Sequence, residues 1–168
     1  AHNIEPTAGS AAGCANRYFK RGDSNKAIEF MDQAIELETD DLKKAEYCFT
    51  TAQILFTTKQ LSKAKNYANK AISLNSNYGA PYILIGQMYA SSNKWSEEPA
   101  MNKCTYFAAI DKFQRAKAVD PSVAEEANKL IATYSAYTPK AEDLFFIGLK
   151  KGDSVNIGGW INETTTIR

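Results

Sequence analysis

The residue types that carry catalysis are sparse in this chain and poorly placed. Histidine occurs once, at His2, in the non-periodic opening stretch AHNIEPT, so histidine acid–base chemistry and a multi-histidine metal site both lack their parts. Cys14, Cys48 and Cys104 are odd in number and show no CxxC spacing, which argues against a zinc site or a disulfide framework and for small buried thiols. The acidic pairs Asp40-Asp41 and Glu97-Glu98 fall in turn-like stretches and read as solvated charge. No phosphate loop, nucleophile elbow or HExxH occurs, and Gly148, Gly152, Gly158 and Gly159 do not form a dinucleotide fingerprint. These observations describe a non-enzymatic protein with no cofactor and no metal. Arg21-Gly22-Asp23 matches an adhesive tripeptide, but a turn between two helices accounts for it. Asn162-Glu163-Thr164 is a glycosylation sequon by pattern alone.

Composition narrows the partners. The chain has 168 residues, 44% hydrophobic and 23% charged, which suits one globular domain. Twenty basic residues against nineteen acidic ones leave a net charge of +1, too little to make nonspecific nucleic-acid binding its main activity. No apolar run is long enough to span a membrane, and no apolar signal stretch opens the chain. Opening on Ala1 rather than Met, the sequence reads as a processed product or a piece of a longer protein.

The strongest regularity is a spacing of small residues. Ala52 and Leu55 stand one helical turn apart, and after Thr58-Lys59-Gln60 come Ala64, Ala68 and Ala71 at intervals of four and three. Ala27, Met31 and Ala34 repeat the arrangement upstream; Ala109, Phe113 and Ala116, followed by Pro121, repeat it downstream. Small residues at that interval let two helices approach closely. A helix-turn-helix unit of roughly 34 residues with this pattern resembles the tetratricopeptide repeat. The resemblance covers three repeats over about residues 8 to 121, although Ala11, Cys48 and Tyr82 stand where the family carries Trp. Tyr82, Ile85, Gly86 and Tyr89 are its closest match.

That resemblance implies an all-α solenoid of three repeats and a function in holding other proteins. In the family the first helices line a concave groove. Position by position this places Asn16, Gln53 and Gln87 in one row, Phe19 and Phe56 in a second with Ala90, and Ala12, Phe49 and Ile83 in a third. Amides between apolar patches suit an extended peptide, because they both donate to and accept from its backbone. Lys20 alone stands where repeat proteins that clamp a terminal carboxylate carry cations, so such a clamp is not expected. The other interpretation is that these side chains are merely solvated or make interhelix contacts.

The domain layout follows. Residues 1–7 are a loop or an upstream remnant, 8–137 the repeats with a capping helix, and 138–168 a C-terminal helix and hairpin packed on them. An insertion spans about 92–104 as a loop, with the second helix resuming at Thr105 and Trp95 as an anchor or an exposed recognition residue. Ser24 or Asn25 is expected to cap the second helix, and Ser122 a terminal helix running to about Tyr137. Beyond Pro139, residues 141–149 read as a short helix, and Ser154 to Ile157 with Thr164 to Ile167 as a small hairpin. Leu144, Phe145, Phe146 and Ile147 make this tail too apolar for a free linker, so it is expected to dock, capping the repeats or lying in their groove. The tail also resembles the ends of long repeat proteins of Bacteroides-type bacteria, which implies the cell envelope or periplasm. A structural or oligomerisation module of a larger envelope protein is the alternative to a binding scaffold.

Overall fold

A computed structural model describes residues 5–168; His2 and the first part of the expected terminal loop lie outside them. Among the described residues eight helices and one two-stranded antiparallel sheet make up a mostly helical fold, and the chain divides into two compact units, to Asn77 and from Tyr78.

The first unit holds two helix pairs, α1 (Ala8–Lys20) with α2 (Ser24–Leu37) and α3 (Asp41–Thr57) with α4 (Leu61–Leu74). Each start has a local cause. Thr7 and Ser10 form a reciprocal capping box on α1. Asp23 caps α2, its carboxylate accepting from the Lys26 N–H at 3.1 Å, whereas Ser24 or Asn25 was expected; a carboxylate is the better acceptor for a helix N-terminus. With Gly22 at φ +84° just before it, the Arg-Gly-Asp run is occupied in turning and capping. Asp40 caps α3 through the Leu42 and Lys43 N–H groups.

Alanines make the contacts between these helices. Ala15, Ala27, Met31 and Ile54 form one buried cluster, and Ala11, Ala12 and Ala34 another, with Tyr47 against both. Tyr18 stacks on Phe30 with ring centres 5.3 Å apart. In α4, Ala64, Ala68 and Ala71 are fully buried, one stripe facing α3. Enlarging that stripe is a direct test of register. Ala71→Leu is expected to cost roughly 1–3 kcal/mol by overpacking, read as a lower melting temperature by circular dichroism; an unchanged melting temperature would mean that the stripe does not face α3.

The second unit contains α5 (Ala80–Ala90), α6 (Pro99–Val119), a 3₁₀ turn at Pro121–Val123, α7 (Ala124–Ser135), α8 (Ala141–Phe146) and strands β1 (Ser154–Ile157) and β2 (Glu163–Thr166). Here the expected loop at 92–104 is half helix. Glu98 is the N-cap and Pro99 the first helical residue, so α6 starts six residues before Thr105 and runs 21 residues. Asn102 secures the remaining loop, accepting from the Trp95 and Ser96 N–H groups and donating to the Ser96 carbonyl. The terminal helix likewise starts differently from expectation. Asp120 caps the 3₁₀ turn, accepting from the Ser122 N–H and hydroxyl, and also accepts from the Gly79 N–H at 3.0 Å, while α7 itself follows Val123 with no side-chain cap. Those hydrogen bonds, first from the Ser122 hydroxyl and then from Gly79, hold the Asp120 pKa below the ordinary value.

The hairpin pairs Ser154 with Thr166 and Val155 with Thr165, so that Val155, Ile157, Thr165 and Ile167 are buried while Asn156 and Thr164 face out. It packs on α6. Thr165 donates to Asp111 at 2.6 Å, Arg168 pairs with the same carboxylate, and Lys112 pairs with Glu163 at 2.6 Å. The Tyr89 hydroxyl also donates to Glu163, and burial followed by that bond drives its pKa well up. Trp160 donates to Ser92 and lies edge-on to Tyr89; Trp95, half-buried, donates to Thr105 and packs on Gly158. Trp95 is therefore an anchor.

The short helix departs from expectation. It ends at Phe146 and buries Leu144 alone, leaving Phe145 79% and Phe146 86% exposed. Consecutive helical residues point about 100° apart, so burying Leu144 turns the two phenylalanines away from the core. Of the thiols, Cys48 and Cys104 are buried and Cys14 half-buried, with burial pushing Cys104 up to about 11.

Candidate functional site

In α1, burial of Ala11, Ala12 and Ala15 against the rest of the first unit decides which side remains outward. Asn16 and Lys20 stand exposed there and Phe19 keeps 39% of its surface. In α3, buried Ala45, Cys48, Ala52 and Leu55 define the inner side, and Phe49, Gln53 and Phe56 follow one another at intervals of four and three on another face. Gln53 is exposed and the two phenylalanines half-buried. Ala15 and Ile54 belong to one buried cluster with Ala27 and Met31 of α2, so both helices pack on α2 within this unit.

The first unit thus carries six of the eight expected residues on α1 and α3. Each helix offers one amide and at least one aromatic ring. The side-chain amides of Asn16 and Gln53 make no hydrogen bond among the described residues. Lys20 lies in the last turn of α1 with Arg17, where a cation is favoured by the helix dipole. Such a surface can bond a backbone and hold apolar side chains. Among the described residues no cluster of His, Cys, Asp or Glu is fit to hold a metal ion.

Ile83 and Gln87 belong to α5 in the second unit. Gln87 is half-buried, but Ile83 is only 4% exposed and offers a partner almost no surface. The cause is composition: Pro81, Ile83, Leu84, Ile85, Met88 and Tyr89 are all buried, and a helix apolar on nearly every side has little face left for solvent. Two other surfaces escaped the sequence reading. One is the phenylalanine pair of α8; the other is a recess among α2, α3 and α4 whose charged residues are scattered along the chain.

Comparison with known proteins bears on the fold. The family model described as tetratricopeptide repeat matches residues 15–41 and 45–78, the first two helix pairs. Among solved structures, the TPR2B domain in the pHsp70 complex of yeast Sti1 is 21% identical with a TM-score of 0.61, covering 77% of this chain and 96% of that one. The first TPR of Spaghetti (RPAP3), bound to the HSP90 peptide SRMEEVD, is 20% identical with a TM-score of 0.59, covering 77% and 94%. MamA is 20% identical with a TM-score of 0.53, covering 77% and 73%. A search of curated proteins finds no significant match. Two stretches of the chain match the tetratricopeptide repeat, and the chain has the fold of such repeats.

Proposed function

We propose that the protein is a non-enzymatic scaffold that holds an extended segment of a partner protein against its first helices. The carrying observation is that α1 and α3, both packed on α2, each leave an amide and aromatic side chains outside the core, Asn16 with Phe19 and Gln53 with Phe49 and Phe56. Two similar structures are named as complexes, one with pHsp70 and one with an HSP90 peptide, which supports peptide binding on this architecture. With Lys20 the one cation among the positions assigned to this surface, we propose that an internal stretch of chain is held, not a clamped terminal carboxylate.

Selection of displayed peptides on the intact protein supplies a probe. Against a selected peptide, Gln53→Ala combined with Phe56→Ala is expected to raise Kd roughly tenfold or more, about 1.4 kcal/mol per decade, with circular dichroism little changed. Full-strength binding by the double variant would mean that this face is not the site.

A second reading has its own observation. The exposed Phe145 and Phe146 favour a structural or oligomerisation module of a larger protein, and the tail's resemblance to envelope repeat proteins would place it in the cell envelope. Light scattering separates the two: a monomer supports the scaffold, a stable dimer lost on Phe145→Ser and Phe146→Ser the module.

A further inference from the structure

The helices α2, α3 and α4 line an open recess of about 360 Å³ in the first unit. Its walls carry opposite charge. Asp32 and Glu36 stand four residues apart on α2, while α4 presents Asn66 and Lys70 at the same interval, with Lys44 of α3 beside them. Ile35, buried in α2, adds an apolar surface. Tyr67 donates its hydroxyl to Asp32 and so ties the α4 wall to the α2 wall.

What is missing is the bridge that such walls would form. Among the described residues no ion pair joins Glu36 or Asp32 to Lys44 or Lys70. Two carboxylates and two ammonium groups therefore line the same space without neutralising one another directly. Their fields overlap beneath it. The buried Cys48 thiol, raised first by its burial, is pulled down by Lys70 and Lys44 and pushed up by Asp32. A plain anion in the recess would be attracted by the lysines and repelled by the carboxylates, and a plain cation the reverse. A molecule carrying both charges a few ångströms apart satisfies both walls.

We propose that this recess binds a zwitterion of amino-acid or dipeptide size, its ammonium against Asp32 and Glu36 and its carboxylate against Lys44 and Lys70. The volume lies at the small end for ligand pockets, which excludes a long peptide. The recess is open to water, and water-exposed charge pairs contribute little each, so a Kd of about 1 mM is expected.

The test is a chemical-shift titration of the isotope-labelled protein with free alanyl-alanine, its N-acetyl form and its C-terminal amide. Saturable shifts are expected on α2 and α4 amides with the free dipeptide, at least fivefold weaker with either capped form. Glu36→Gln and Lys70→Gln should each weaken the free dipeptide by a similar factor; both are exposed and leave the Tyr67–Asp32 tie in place. Equal binding of capped and free forms, or no saturable shift, would overturn the proposal. Because the recess and the α1 and α3 face share no residue named for binding, either reading can fail without the other.

Discussion

A chain ending at Tyr137 is expected to lose most of the stability of its second unit while the first melts as before. The hairpin buries Val155, Ile157, Ile161 and Ile167, and α8 adds Leu144, all nearly inaccessible. Each such side chain is worth roughly 1.5–3 kcal/mol when fully buried. Removal does more than delete that burial. It strips Asp111 and Lys112 of their partners and bares Tyr89, three groups whose present setting assumes the hairpin. Against a total stability of about 5–15 kcal/mol, the second unit should melt at a much lower temperature and aggregate. Ile157→Ala, expected to cost about 2–5 kcal/mol, gives the graded version for a case where the truncated chain is too unstable to purify. A truncated protein that melts like the full chain, and binds a selected peptide more tightly, would mean that the tail blocks the face instead of supporting the fold.

Gly86→Ala is expected to destabilise the second unit although alanine is the better helix former. A Cβ at Gly86 would lie 2.4 Å from Cε1 of Phe113 and under 3 Å from two further ring atoms. Phe113 is itself fully buried and stacked on Tyr134 with ring centres 5.8 Å apart, so it has nowhere to go. The propensity gain of about 1 kcal/mol is set against overpacking of roughly 1–3 kcal/mol. Two comparisons make the assignment sharp. Gly13→Ala in α1, where nothing lies within 4 Å of the added carbon, should stabilise by about 0.5–1 kcal/mol. In a double-mutant cycle with Phe113→Leu, the Gly86→Ala penalty should shrink by about 0.5–3 kcal/mol. Additive effects would place the cost somewhere other than the ring.

Much of this was legible because local chemistry and tertiary packing agree. Alanines at intervals of four and three marked the helix contacts, and every one from Ala27 to Ala116 named for that spacing is buried. The hairpin was readable from its β-branched runs, and β2 starts and ends one residue earlier than expected. The start of α6 was also written in the chain, as Glu98 followed by Pro99, but the alignment of repeats drew attention to Thr105 instead. Other features depend on geometry that spacing does not carry. Whether Phe145 and Phe146 find cover depends on where α8 is turned by Leu144. The charged recess gathers residues from Asp32 to Lys70 on three helices, so no local pattern announces it. Ile83 matched the spacing of a surface position, yet its neighbours in α5 leave that helix almost no free side.

The placement of the two tryptophans decides what ordinary spectroscopy sees of this protein. Both sit where the hairpin meets the rest of the second unit, Trp160 between Ser92 and Tyr89 and Trp95 over Gly158. The first unit contains neither. Tryptophan emission will therefore follow undocking of a short β segment, while far-ultraviolet dichroism follows the helices of both units. A denaturation curve read by fluorescence can be complete before most of the helix has melted, and disagreement between the two probes is built into the sequence. A tryptophan introduced at the half-buried Tyr47 would give the first unit its own signal.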